Sequence, residues 1–103
     1  MAPRNSIKGK VKQSGLVKVK FFATLRLELG IAERDIFVEK ESTVKDILEK
    51  CGDEVKQKLL ENNDIIKGTI ILVNGENIIH KDGLNTIVKS GDVISLFPPA
   101  GGG

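Results

Sequence analysis

The stretch "LVKVKFFA", Leu16 to Ala23, decides the fold. Val17, Val19 and Phe21 alternate with Lys18, Lys20 and Phe22, and a period of two puts the first set on one face and the second on the other. That is the signature of a strand with one dry and one wet side. Downstream, "DIFVEKE" repeats the alternation, with Ile36 and Val38 set against Phe37 and Glu39. The intervening run through Gly30 reads as a loop, so the two strands form a hairpin. Thr43, with Asp46 three residues on, has the spacing of a capping box at a helix start, Ser42 being the alternative cap. Val44, Ile47, Leu48, Cys51 and Val55 then follow an apolar stripe at helical spacing. Gly52 breaks or caps this helix, and "DEVKQKLL" resumes it as far as a turn at Asn62 and Asn63.

The second half returns to strand patterning. "TIILV" is a short apolar run, Asn74 and Gly75 supply the positive backbone angles of a tight hairpin turn, and "ENII" returns as a short strand. Asp82 and Gly83 turn the chain, Leu84 to Val88 make a single helical turn, and "VISLF" is the last strand. The order strand, strand, helix, strand, short strand, strand describes an α+β roll, a mixed sheet of four to five strands packed on one main helix. That arrangement fits the β-grasp, or ubiquitin-like, fold. The boundaries read as a basic leader over 1–15, the β-grasp domain over 16–97 and a flexible tail over 98–103.

Composition narrows the function classes. A chain of 103 residues with 40% hydrophobic and 29% charged residues is one globular domain. No apolar run approaches the roughly 18 residues of a membrane span, and the basic N-terminus is not followed by an apolar targeting segment, so a cytoplasmic location is expected and no membrane partner. One cysteine, Cys51, and one histidine, His80, leave neither a disulfide framework nor a zinc ligand set. The net charge of +2 misleads: four of the 16 basic residues lie in the first fifteen positions, leaving 12 against 14 acids in the remainder. "MAPRNSIKGKVKQSG" reads as a disordered extension rather than a nucleic-acid arm, because readout of single strands wants stacking rings and the leader has none.

Strand parity points to a surface. If Val17, Val19 and Phe21 face the helix, Phe22 faces outward. In the last strand Ile94 and Leu96 are the inward pair, which puts Phe97 on the same outer side. The first and last strands of a β-grasp sheet are neighbours, so Phe22 and Phe97 share an apolar patch at the root of the tail, the usual mark of a partner surface. The opposing reading is that a register slip of one residue makes both rings core, or that the leader or a loop covers them.

The ending "LFPPAGGG" has its own physics. Pro98 and Pro99 stop the strand and stiffen the chain, while Gly101, Gly102 and Gly103 have no side chains to obstruct passage through a narrow channel. Extended, the six residues reach on the order of 20 Å, enough to thread an active site on another protein. What they deliver is a carboxylate, which is inert to nucleophiles until adenylated. "GGG" is no phosphate loop, since it lacks the following Lys-Ser/Thr. A frayed end is the alternative reading. Among the remaining candidates, Cys51 sits on the helical stripe and reads as core, His80 as a surface residue, and Asp53 with Glu54 as the solvated start of a helical turn.

"VKVKFFATLRLELG", "STVKDILEKC", "ILVNGENI" and "SGDVISLFPPAGGG" together resemble the MoaD family of ubiquitin-like sulfur carriers, the small subunits of molybdopterin synthase, and more distantly ThiS of thiamine synthesis. The resemblance runs from Val17 to Gly103. Ala100 and Gly101 depart from the usual family ending, while Gly102 and Gly103 match it. The resemblance implies that an E1-like adenylyltransferase of the MoeB type uses ATP to adenylate Gly103. Sulfur transfer then makes a thiocarboxylate, and Gly102 allows the tail to thread into a MoaE-like large subunit that holds the catalytic groups. It also implies partner contacts at Phe22, Phe97, Ile78, Pro98, Pro99 and Gly101, no cofactor or metal bound by the chain, and no enzyme in this chain alone. A second reading, shared with archaeal small modifier proteins, passes the activated Gly103 to lysines of target proteins. A third is a non-covalent β-grasp adaptor.

Overall fold

The computed structural model describes residues 14–100. The expectations for Gly101, Gly102 and Gly103, and for all of the leader except Ser14 and Gly15, lie outside the described residues.

Strand β1 (Gly15–Phe21) buries Val17, Val19 and Phe21, as alternation demands. It pairs antiparallel with β2 (Glu33–Val38), Leu16 opposite Phe37 and Lys20 opposite Glu33. The connection between them is not a loop. Ala23–Leu29 forms a short helix, α1, ended by Gly30 at φ 75°. Leu25, Leu27 and Leu29 are spaced by two, which hides the helix from a periodicity reading. Leu25 and Leu29, one helical turn apart, pack on the core and leave Leu27 outside.

After β3 (Ser42–Thr43) the main helix runs as two segments, α2 (Val44–Cys51) and α3 (Asp53–Leu59), divided at Gly52 as expected. The capping box is present. The Asp46 N–H donates to Thr43 Oγ1 at 3.1 Å and the Thr43 N–H donates to the Asp46 carboxylate at 3.2 Å. A cap of this kind contributes about 1 kcal/mol. Val44, Ile47, Leu48, Cys51, Val55 and Leu59 are all buried, so the stripe read from the sequence is the one that meets the sheet.

Strands β4 (Leu60–Glu61) and β5 (Asp64–Ile65) form a minimal hairpin around Asn62 and Asn63, both at positive φ. β6 (Ile70–Val73) turns through Asn74 at φ 51° and Gly75 at φ 87°, the two left-handed residues of the turn that matches strand twist, into β7 (Glu76–Asn77). Here the structure is shorter than the sequence reading. Ile78–His80 leaves the strand as a 3-10 turn, because the Asn77 side chain accepts a hydrogen bond from the Ile79 N–H at 3.1 Å and caps it. The expected helical turn over Leu84 to Val88 is likewise confined to Gly83–Asn85. Ile87–Val88 instead forms β8, paired with β3.

β9 (Val93–Phe97) completes a five-stranded sheet in the order β2-β1-β9-β6-β7, with β9 parallel to β1 and antiparallel to β6. The core lies between the inward side chains of this sheet and the stripe of α2 and α3. This is the β-grasp roll. It places the end of β9, and hence the tail, in the middle of the sheet, with a neighbour on either side.

Candidate functional site

The outer face of the sheet is organised in rows. In the β1–β9 register Phe21 lies beside Leu96, so the next position puts Phe22 beside Phe97. Their rings stack with centroids 4.4 Å apart and planes 6° from parallel. On the far side of β9, Ile70 is directly opposite Phe97. On the near side, the Phe21 N–H donates to the Ala32 carbonyl at 2.8 Å, the last bond to β2 before the chain turns into α1. Phe22, Phe97 and Ile70 therefore cross the outer face as one apolar row at the root of the tail.

Both phenylalanines are half-buried, while Phe21 and Leu96 behind them are fully buried. The parity reading holds and the register does not slip. The rings cover part of each other, which is why neither is freely exposed. The Phe22 backbone is tied in by its N–H, which donates to the Leu96 carbonyl at 3.1 Å. Ala23, the next residue, has φ 54°, a left-handed value that costs a residue with a Cβ about 1–2 kcal/mol. That bend turns the chain from β1 into α1 beside the stacked rings.

Farther from the tail the same face becomes charged. Lys18 donates to Glu33 at 2.9 Å and to Asp35 at 3.3 Å, and these hydrogen bonds, Glu33 first, hold its ammonium above the ordinary lysine value.

Three expected contact residues are placed differently. Ile78 is fully buried and presents nothing to a partner, because the 3-10 turn carries it under the sheet. Its neighbour Ile79 is 63% exposed instead. Pro98 is also buried and Pro99 half-buried, so both belong to the folded body. Pro98 stands opposite Thr69, one step beyond the last β6–β9 pair, and with no N–H it ends the ladder there. Pro99 lies over Gly68, whose φ of 94° is the left-handed value that favours glycine, while the space itself would accept a Cβ in ordinary contact. A Cβ added there would stand 3.5 Å from the Pro99 Cβ. Grooves of about 440 and 400 Å³ run along this anchored segment, the first walled by Thr24, Glu28, Lys58 and Ile66 and the second by Ala23, Gly68, Ile70 and Phe97. Ile70 escaped the sequence reading. It carries a signal, since its parity in "TIILV" is opposite to that of Ile71.

Cys51 is 6% exposed on α2, and burial pushes its thiol up to about 11. Two pK units above the ordinary 9.0 leave roughly a hundredfold less thiolate near neutral pH. Native protein is therefore expected to react with iodoacetamide about a hundred times more slowly than the urea-unfolded chain. Because the unfolded thiol loses its proton first, this group's contribution to stability is intact below pH 9 and declines as pH rises towards about 11. Denaturation followed across that window checks the sign. His80, Asp53 and Glu54 are exposed, and among the described residues no group of three or more His, Cys, Asp or Glu side chains is placed to hold a metal. No helix among them is long and apolar enough to cross a membrane.

Comparison with known proteins agrees with this fold. The ThiS family model matches residues 19–103. The chain is 33% identical over 92 residues to small archaeal modifier protein 3 of Haloferax volcanii, covering 84% of this chain and 98% of that protein. It is 30% identical over 84 residues to a protein of Archaeoglobus fulgidus provisionally named a sulfur carrier, covering 77% and 96% respectively. The solution structure of small archaeal modifier protein 1 from Methanosarcina acetivorans superposes with a TM-score of 0.70 at 31% identity, over 87% of this chain and 98% of that one.

Proposed function

This chain belongs to the ThiS family of ubiquitin-like carriers, and on that premise we propose that it is a sulfur carrier acting through the carboxylate of Gly103. The carboxylate attacks the α-phosphate of ATP on an E1-like partner, giving the acyl-adenylate and pyrophosphate. A sulfide-level nucleophile then adds to the carbonyl carbon, AMP leaves, and the product is a thiocarboxylate. Its soft sulfur is the nucleophile that a larger synthase subunit directs, and the destination proposed, on the family resemblance of the motifs, is the dithiolene of molybdopterin. The chain's own part is mechanical: it docks, aims and reaches.

The observation that carries this reading is the apolar row at the root of a proline-led, glycine-ended tail. Stacked Phe22 and Phe97 give a partner a fixed apolar platform, and anchored Pro98 and Pro99 set the direction in which the tail leaves. From Ala100 to Gly103 the extended span is at most about 14 Å. The partner's reacting centre must therefore lie within that distance of the platform, which makes docking and chemistry one geometric problem. A second reading, transfer of activated Gly103 to lysines of other proteins, is favoured by the similarity to small archaeal modifier proteins.

Intact-mass and peptide mapping of the protein purified from its native cells separate the two. A gain of about 16 Da on the C-terminal peptide, sulfur replacing oxygen, is expected for the carrier. A Gly-Gly remnant on lysines of other proteins, with no such gain, would instead establish the modifier.

A further inference from the structure

A second feature adjoins the tail-root face. Arg26, Leu27, Gly30 and Ile31 line a shallow hollow of about 280 Å³ beside the end of α1. Leu27 is 80% exposed, more than any other large apolar side chain among the described residues. The fold has no use for it there, because α1 is held by Leu25 and Leu29. Ile31, the other apolar wall, directly precedes Ala32, whose carbonyl accepts from the Phe21 N–H, so the hollow opens beside the end of β1 where the row starts.

The charges around this surface that have no ion-pair partner among the described residues are all positive. Arg26 flanks the hollow, Lys20 precedes the row on β1, and Lys67 adjoins Gly68. None of the three makes an ion pair with a described residue. The acids nearby are already engaged, Glu28 by Lys58 at 2.9 Å and Glu33 by Lys18 at 2.9 Å. The surface is thus an apolar centre with a rim of cations unpaired among the described residues, the complement of an apolar patch rimmed by carboxylates.

Resting on the function proposed above, we infer that α1 is a second docking arm: the hollow between Leu27 and Ile31 receives an apolar side chain from an acid-rimmed face of the enzyme that adenylates Gly103. Activation is the step that sulfur transfer and lysine conjugation share, so both fates of the tail require this contact. The arm adds a contact away from the tail axis, and two separated contacts fix orientation as well as position. A tail of fixed reach needs both.

The test is ATP–pyrophosphate exchange by the E1-like enzyme of the same organism, with the full chain as substrate. Leu27→Asp is expected to raise the KM for the carrier about tenfold or more with kcat unchanged. Arg26→Glu is expected to raise KM and to reduce its dependence on salt, because a rim charge acts mainly on encounter. Both side chains are exposed, and unchanged thermal unfolding shows that the variants fold. KM values within about twofold of the parent chain for both variants, with Phe97→Ala impaired, would overturn the arm and leave the proposed function standing. Absence of exchange with the parent chain itself would overturn the function and the arm together.

Discussion

Removal of Gly103 is expected to abolish acyl-adenylate formation, with ATP–pyrophosphate exchange falling to the level seen without carrier. The shortened chain still ends in glycine, so the effect is one of length. Deleting a residue withdraws the carboxylate by roughly 3.3–3.6 Å. A reacting oxygen must come within about 3–3.5 Å of its target, and a displacement of even about 1 Å costs about a hundredfold. The tail cannot make up the distance by paying out slack, because Pro98 is buried and Pro99 rests on Gly68. The body cannot follow either if Phe22 and Phe97 are seated on the partner. Binding of the shortened chain, measured by calorimetry, is expected to persist while exchange is lost. Undiminished exchange would refute the assignment of Gly103.

Two adjacent phenylalanines are expected to behave in opposite ways. Phe21→Ala empties a site that is 1% exposed at the centre of the core and should cost about 3–5 kcal/mol. Against a total stability of about 5–15 kcal/mol that is a large fraction, and the melting temperature of so small a domain should fall by about 15 °C or more. Phe22→Ala removes half-buried surface and a stacked contact worth about 0.5–1.5 kcal/mol, so the loss of stability should be several-fold smaller. Adenylation kinetics should show the reverse order of importance: Phe22→Ala raises KM for the carrier, whereas Phe21→Ala affects activity only through the fraction unfolded. Equal destabilisation by the two substitutions would mean that both rings are core.

The contrast rests on parity alone, and parity was legible in "LVKVKFFA". So were the stripe of α2, its capping box, the break at Gly52 and the Asn74–Gly75 turn. Each is a local pattern whose physics acts over a few residues: alternation of faces, i to i+4 stacking, satisfaction of free helix N–H groups, tolerance of positive φ. The helix α1 was not legible, because three leucines spaced by two show no clear helical stripe and the run reads as a loop; only packing of Leu25 and Leu29 on the core reveals the helix. At the candidate site, Phe22 and Phe97 could be named from the sequence as outward-facing, but their stacking distance could not. Ile78 was misplaced, since a capping side chain, not strand periodicity, governs the residue that follows Asn77.

By itself, then, the sequence determined the fold class, the inward and outward sets of each main strand, and the presence of a slim glycine ending after two prolines. The tertiary structure alone decided that Phe22, Phe97 and Ile70 line up, that Pro98 and Pro99 belong to the body, and that Leu27 stands exposed on α1. The reason is the range of the forces involved. Alternation and capping are settled among near neighbours, whereas adjacency across a sheet depends on strand order and register, which are set by how the whole core closes.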